Sequence, residues 1–249
     1  MKLQPKKFWL ISAIASSVAV LILAVILALV MMKNKSSDIE IWPRDEEAQL
    51  RDANLSAINQ AGVTPLNVIR EIDQADHLIG KPDAKVKLVV YLDFDCPYCA
   101  TFNKTLNELE RIYGDRIVIA LRHFPLDSHA NAPALANAFE CAVEQDKMLE
   151  AKDYLYSITR DRSDSDFQVM AESLKLSKEK FQDCLKANKF SERINSDKAE
   201  AKSAGVIGTP TSFLNGMILP GAYKLEDFKT PDGSDNQGLK SLIDAELAK

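Results

Sequence analysis

Two of the four cysteines lie three positions apart, Cys96 and Cys99 in the stretch YLDFDCPYCATF. That spacing supports three chemistries. Paired thiols can exchange a disulfide with a partner, supply half of a tetrahedral zinc site, or lie inert in a core. Zinc needs two further ligands at comparable spacing. The remaining candidates are Cys141, Cys184, His77, His123 and His129, and they form no second Cys-x-x-Cys and no His-x-x-x-His. No metal is expected.

The flanking sequence places the pair. Val86 to Phe94, VKLVVYLDF, reads as a largely buried strand rich in β-branched and aromatic residues. Phe102, Leu106, Leu109 and Ile112 then recur at helical spacing until Gly114. Cys96 therefore falls at the first turn of a helix, where unpaired N–H groups and the positive end of the helix dipole favour a thiolate. Pro97 suits the position after it, because the missing N–H would have no partner there. Cys99, one turn on, is placed to attack a mixed disulfide, and is expected to be the more buried sulfur and protonated at rest. RIVIALRHF at 116–124 reads as a second strand, completing a βαβ unit with parallel strands.

Residues 129–204 are helical by pattern, in pieces near 131–160, 166–174, 177–188 and 191–204, with Ser177 and Ser191 as caps. The chain then turns extended in VIGTPTSFLNGMILPGAY. Asn215-Gly216 between TSFL and MILP is a hairpin signal. Pro210, entering a strand edge after Thr209, reads either as a cis or edge proline or as a plain turn proline. GKPDA at 80–84 is a turn cluster, and a last helix over 238–248 follows the loop TPDGSDNQG.

Ahead of this domain the composition changes. Phe8 to Met32 contains no charged residue. At about 1.5 Å per residue it reaches roughly 37 Å, enough to cross a hydrocarbon core of about 30 Å. The run ends in LVMMKNK, a poor cleavage site, so a transmembrane signal-anchor is expected, with a long cleaved signal as the alternative. Lys2, Lys6 and Lys7 keep residues 1–7 in the cytoplasm and put the rest outside, where disulfides persist. Residues 33–75 read as a polar exit and a helical spacer: one helix from Pro43 to Gly62, and a second from Thr64-Pro65 carrying Leu66, Ile69 and Ile72. A dimerisation arm is the alternative. The net charge of −5 and sequence pI near 5.4 give no basic signature for nucleic acid.

FDCPYC at a strand–helix junction, a long helical insertion and GTPTSFLNG in that order resemble the DsbA-like branch of the thioredoxin superfamily. The resemblance covers residues 76–249. It implies an α/β thioredoxin fold with a helical insertion at about 129–204, preceded here by one transmembrane helix. It implies Cys96 as nucleophile and Cys99 as resolving cysteine, with Pro97 and Tyr98 completing the motif. Pro210 would be a cis-proline facing the disulfide, and the Thr209 backbone would pair with a substrate chain. Cys141 and Cys184 lie on apolar stripes; buried free thiols are one reading, and the resemblance favours a structural disulfide. One departure concerns Val90, which stands where many members carry a buried acid serving the resolving thiol. Asp93 and Asp95 are nearby, but Asp93 is expected on the face opposite residues 90, 92 and 94.

The expected function is an extracytoplasmic protein thiol:disulfide oxidoreductase donating the Cys96–Cys99 disulfide to exported proteins. A reductase or isomerase kept reduced by a membrane partner, and a peptide-binding module without redox turnover, are the alternatives. The expected setting is a single-pass protein of a bacterial cytoplasmic membrane with a periplasmic catalytic domain. It needs no cofactor, works as a monomer, and is recycled by a membrane-bound redox partner.

Overall fold

The computed structural model describes residues 69–158, 164–230 and 233–249. The segments expected to be the cytoplasmic end (1–7), the transmembrane span (8–32) and the spacer as far as residue 68 lie outside the described residues. Among those described, no helix is long and apolar enough to cross a membrane.

A five-stranded sheet forms the frame: β1 (His77–Gly80), β2 (Val86–Leu92), β3 (Ile117–His123), β4 (Thr211–Leu214) and β5 (Met217–Pro220), in the spatial order β1-β3-β2-β4-β5. β2 and β3 run parallel, from Val86 opposite Ile117 to Leu92 opposite His123, and every other pairing is antiparallel. Alternation along β2 sends Leu88, Val90 and Leu92 into the main core, and Val89 and Tyr91 into a second core on the opposite face. Helix α1 (Pro97–Tyr113) places Cys99, Phe102, Leu106 and Leu109 in the main core.

The insertion comprises α2 (Ala132–Val143), α3 (Met148–Ser157), α4 (Asp164–Ser173), α5 (Lys178–Ala187) and α6 (Ser191–Ser203). The helix expected over 131–160 is broken. Between Glu144 and Lys147 the chain reverses, with Asp146 at φ 60° and the Lys147 N–H turned back to the Ala142 carbonyl. No glycine or proline marks that break, so apolar periodicity runs straight through it. Ser177 does stand at the N-cap of α5, but its side chain makes no capping bond; its N–H donates to Gln145 Oε1. Ser191 is the first residue of α6, whose N-cap is Phe190.

The second spacer helix does not extend to residue 72. Ile69 and Ile72 lie in non-helical chain packed on the second core, and the Arg70 N–H bonds to Glu200 Oε1 of α6. Strand β1 was hidden beside its turn cluster. Gly80 is needed there: at φ 87°, a Cβ would sit 2.2 Å from the Ile117 carbonyl oxygen. Asn215 and Gly216 turn the β4–β5 hairpin at φ 45° and 86°, and Asn215 exchanges two hydrogen bonds with the Lys87 backbone. A ribbon of β6 (Phe228–Lys229) and β7 (Asp235–Asn236) spans part of the expected loop, and α7 (Leu239–Ala248) closes the chain.

Candidate active site

Cys96 is the N-cap of α1, with extended backbone at φ −83° and ψ 122°, and Pro97 opens the helix. β2 ends four residues earlier, so the parallel strand delivers the cysteine to the carboxyl end of the sheet. The Thr209–Pro210 peptide is cis, and the Thr209 carbonyl oxygen lies 3.3 Å from Cys96 Sγ. Both Thr209 and Pro210 are buried. Two segments more than a hundred residues apart thus meet at one sulfur. Pro97 is exposed and Tyr98 half-buried on the rim.

The two thiols are driven apart. Cys96 is pulled down from an ordinary value of 9.0 to about 6. Its hydrogen bond with Cys99 does most of this against the opposing effect of burial, and Thr209 and the backbone N–H groups of Cys99 and Tyr98 assist. Cys99 is fully buried, and burial together with the neighbouring Cys96 raises it well above the ordinary value. The Thr209 hydroxyl has no full hydrogen bond among the described residues, yet it acts on both sulfurs in the direction of ionisation. Near neutral pH the pair therefore holds one thiolate and one thiol, the state in which a nucleophile and a resolving group are distinct.

Val90 is wholly buried in the main core. Asp93 turns to the 124–129 loop: its carboxylate accepts from the Leu126 N–H at 2.9 Å, His129 Nδ1 at 2.7 Å and the Asp95 N–H at 2.7 Å. Its own N–H is 3.5 Å from Cys99 Sγ. Asp95 accepts from the Asn131 N–H. These acids organise loops around the pair.

Cys141 of α2 and Cys184 of α5 form a disulfide, with Cα atoms 5.8 Å apart. Beside it lies a cluster that local spacing could not reveal. His77 Nε2 and His123 Nε2 are 2.7 and 2.6 Å from Glu140 Oε1, joining β1, β3 and α2. Two imidazoles and a carboxylate are a donor set for a cation, with all ligand atoms within 4.8 Å. Here each donor is spent on the others, and Arg193 Nε stands 3.0 Å from the same oxygen, supplying the positive charge.

Residues 73–231 match the family model described as Thioredoxin. Among curated proteins, a Na(+)/H(+) antiporter NhaA 1 of Mycobacterium sp. (strain KMS) is 33% identical over 162 residues, 64% of this chain and 26% of that protein. The chain thus spans about a quarter of the length of the curated relatives it matches. Among solved structures, the thiol-disulfide exchange protein alpha-DsbA2 from Wolbachia pipientis is 20% identical with TM-score 0.59, covering 78% of this chain and 96% of that one. Oxidised BdbD from Bacillus subtilis is 19% identical with TM-score 0.57, covering 70% and 94%. These two likenesses establish the fold.

Proposed function

Because the chain belongs to the thioredoxin family, we propose that Cys96 and Cys99 perform protein thiol–disulfide exchange outside the cytoplasm. The observation carrying this reading is the split between the two sulfurs, Cys96 at about 6 and Cys99 well above 9.0. A thiolate attacks the Cys96 sulfur of the oxidised pair, forming a mixed disulfide and releasing Cys99. A second substrate thiolate, or Cys99 itself, then resolves the mixed disulfide. Thr209 beside Cys96 supports its assignment as the backbone that aligns an extended substrate, with Pro210 holding that edge.

The direction we favour is oxidation of exported cysteine-containing proteins. A stabilised Cys96 thiolate favours the reduced state of the pair, so the disulfide is readily given away. The Cys141–Cys184 bond also suits an oxidising compartment. Residues 1–7 would be cytoplasmic, 8–32 a single-pass anchor in a bacterial cytoplasmic membrane, 33–75 the spacer and 76–249 the periplasmic catalytic domain. A membrane-bound redox partner would reoxidise the pair. Ion exchange is not carried over from relatives matched over a quarter of their length.

Replacing Cys96 by Ser should abolish exchange, and Cys99→Ser should trap mixed disulfides visible on non-reducing gels. A Cys99→Ser chain that traps nothing refutes turnover through this pair. Equilibration with a glutathione buffer sets the direction: a potential above about −200 mV supports an oxidase, and one near about −270 mV a reductase.

A further inference from the structure

Cys99 is the sulfur whose ionisation the fold makes hardest, and exchange requires it to carry charge. When a substrate thiolate attacks Cys96 Sγ, a new S–S bond forms between substrate and Cys96. The Cys96–Cys99 bond breaks, and its electron pair leaves on Cys99. In the reverse step the Cys99 thiolate attacks Cys96 Sγ and the substrate sulfur departs with the electron pair. Both steps put a negative sulfur in a fully buried position in the main core.

We propose that the Tyr156 hydroxyl is the hydrogen-bond donor held for that transient Cys99 thiolate; the role rests on the exchange chemistry proposed above. Tyr156 lies near the end of α3 and is 8% exposed, its oxygen sealed from solvent. That oxygen makes no full hydrogen bond among the described residues, and the side chain it interacts with in that way is Cys99. Buried hydroxyls are nearly always paired, so one left unpaired beside a reactive group calls for an explanation. Burial raises its pKa well above the ordinary value and keeps the proton on oxygen, and the charges of Cys99, Asp93 and Cys96 together with its interaction with Cys99 push the same way. Tyr156 is therefore a donor and never a base.

Its placement is rigid. One turn earlier on the same face of α3, Lys152 Nζ donates to Asn103 Oδ1 at 2.5 Å and Asn107 Oδ1 at 2.6 Å of α1, the helix that carries both cysteines. The Tyr156 ring packs on Phe94, centroids 5.0 Å apart. Other polar groups near Cys99 leave room for a further donor: the Asp93 carboxylate has the wrong sign and is bonded elsewhere, and the Asp93 N–H gives Cys99 Sγ one backbone hydrogen bond at 3.5 Å. Thr209 acts on both sulfurs and not on Cys99 alone.

The test uses the full-length chain and Tyr156→Phe, which keeps the ring and removes one oxygen. The oxidised protein is mixed with reduced glutathione, and the formation and resolution of the mixed disulfide are timed. Loss of a hydrogen bond to a charged group should slow Cys99 departure by about tenfold or more. The melting temperature should hold or rise, since an unpaired hydroxyl is removed, and the Cys96 ionisation midpoint should stay in place. A Tyr156→Phe chain as fast as the parent overturns the proposal alone. Slowing that comes with a fall in melting temperature marks a structural role and overturns it too. A parent chain that exchanges nothing overturns this proposal together with the function beneath it.

Discussion

At Cys96 several donors act on one sulfur. The Cys99 thiol contributes most, and Thr209 and two backbone N–H groups at the start of α1 add to it. Thr209→Val removes one donor while keeping a β-branched shape. The Cys96 midpoint, read from thiolate absorbance, should then rise from about 6 by up to about one unit. The same depression has a consequence for stability. Cys96 ionises more readily folded than unfolded, so its contribution to the reduced protein builds between about pH 6 and pH 9 and is lost as pH falls through about 6. CPYC and its strand could be read from sequence because each depends on neighbours within a few positions, whereas the local pattern left Pro210 between a cis and a turn proline and only the family resemblance chose. Tyr156 could not be read at all. Nothing in its local pattern separates it from other apolar positions of its helix, and its significance comes from what α3 is packed against.

Helices of the insertion are held by covalent and polar ties more than by their own capping. No side-chain capping bond is found at α2, α3, α5 or α6. Instead the disulfide staples α2 to α5, and buried Lys152 clamps α3 onto α1. The Cys141–Cys184 link closes a loop with a sequence separation of 43, which should constrain the unfolded chain by roughly 4 kcal/mol in the chain-entropy picture. Cys141→Ala with Cys184→Ala should therefore lower the denaturation free energy by about 2–4 kcal/mol, measured by urea titration. Exchange at Cys96 should persist wherever the double variant remains folded. Helix content in this region was legible from apolar periodicity. The α2–α3 break was not, because a reversal built on Asp146 at φ 60° and on short backbone bonds from residues 145–147 back to Ala142 and Val143 leaves no compositional trace.

Across the whole described domain, buried charges lock the start of the fold to the insertion. Arg122 of β3, with a fully buried side chain, bonds both oxygens of Asp76 at 2.8 and 2.9 Å and reaches Glu200 of α6. Glu140 of α2 receives His77 and His123. These partners are separated by 17 to 78 positions, which is why no sequence motif announced them. Burial lowers the His77 pKa despite its carboxylate neighbour. For Glu140 burial opposes ionisation, but hydrogen bonds from His123 and His77 outweigh it and hold the carboxyl well below the usual range. Asp76 is lowered in the same way by Arg122. The signs agree. Below its ordinary 6.5 the unfolded chain takes up a proton at His77 that the folded chain resists, and below 4.5 and 3.8 it does so at Glu140 and Asp76. With the Cys96–Cys99 pair oxidised, so that Cys96 does not titrate, stability should thus be full above about pH 7, start to decline below about 6.5, and fall faster below about 4.5. Glu140→Gln should lower stability at pH 7 by about 1–3 kcal/mol and flatten the dependence below pH 4.5, in urea unfolding at stepped pH. A variant whose pH profile runs parallel to the parent's would show that Glu140 is not where the folded domain resists protonation.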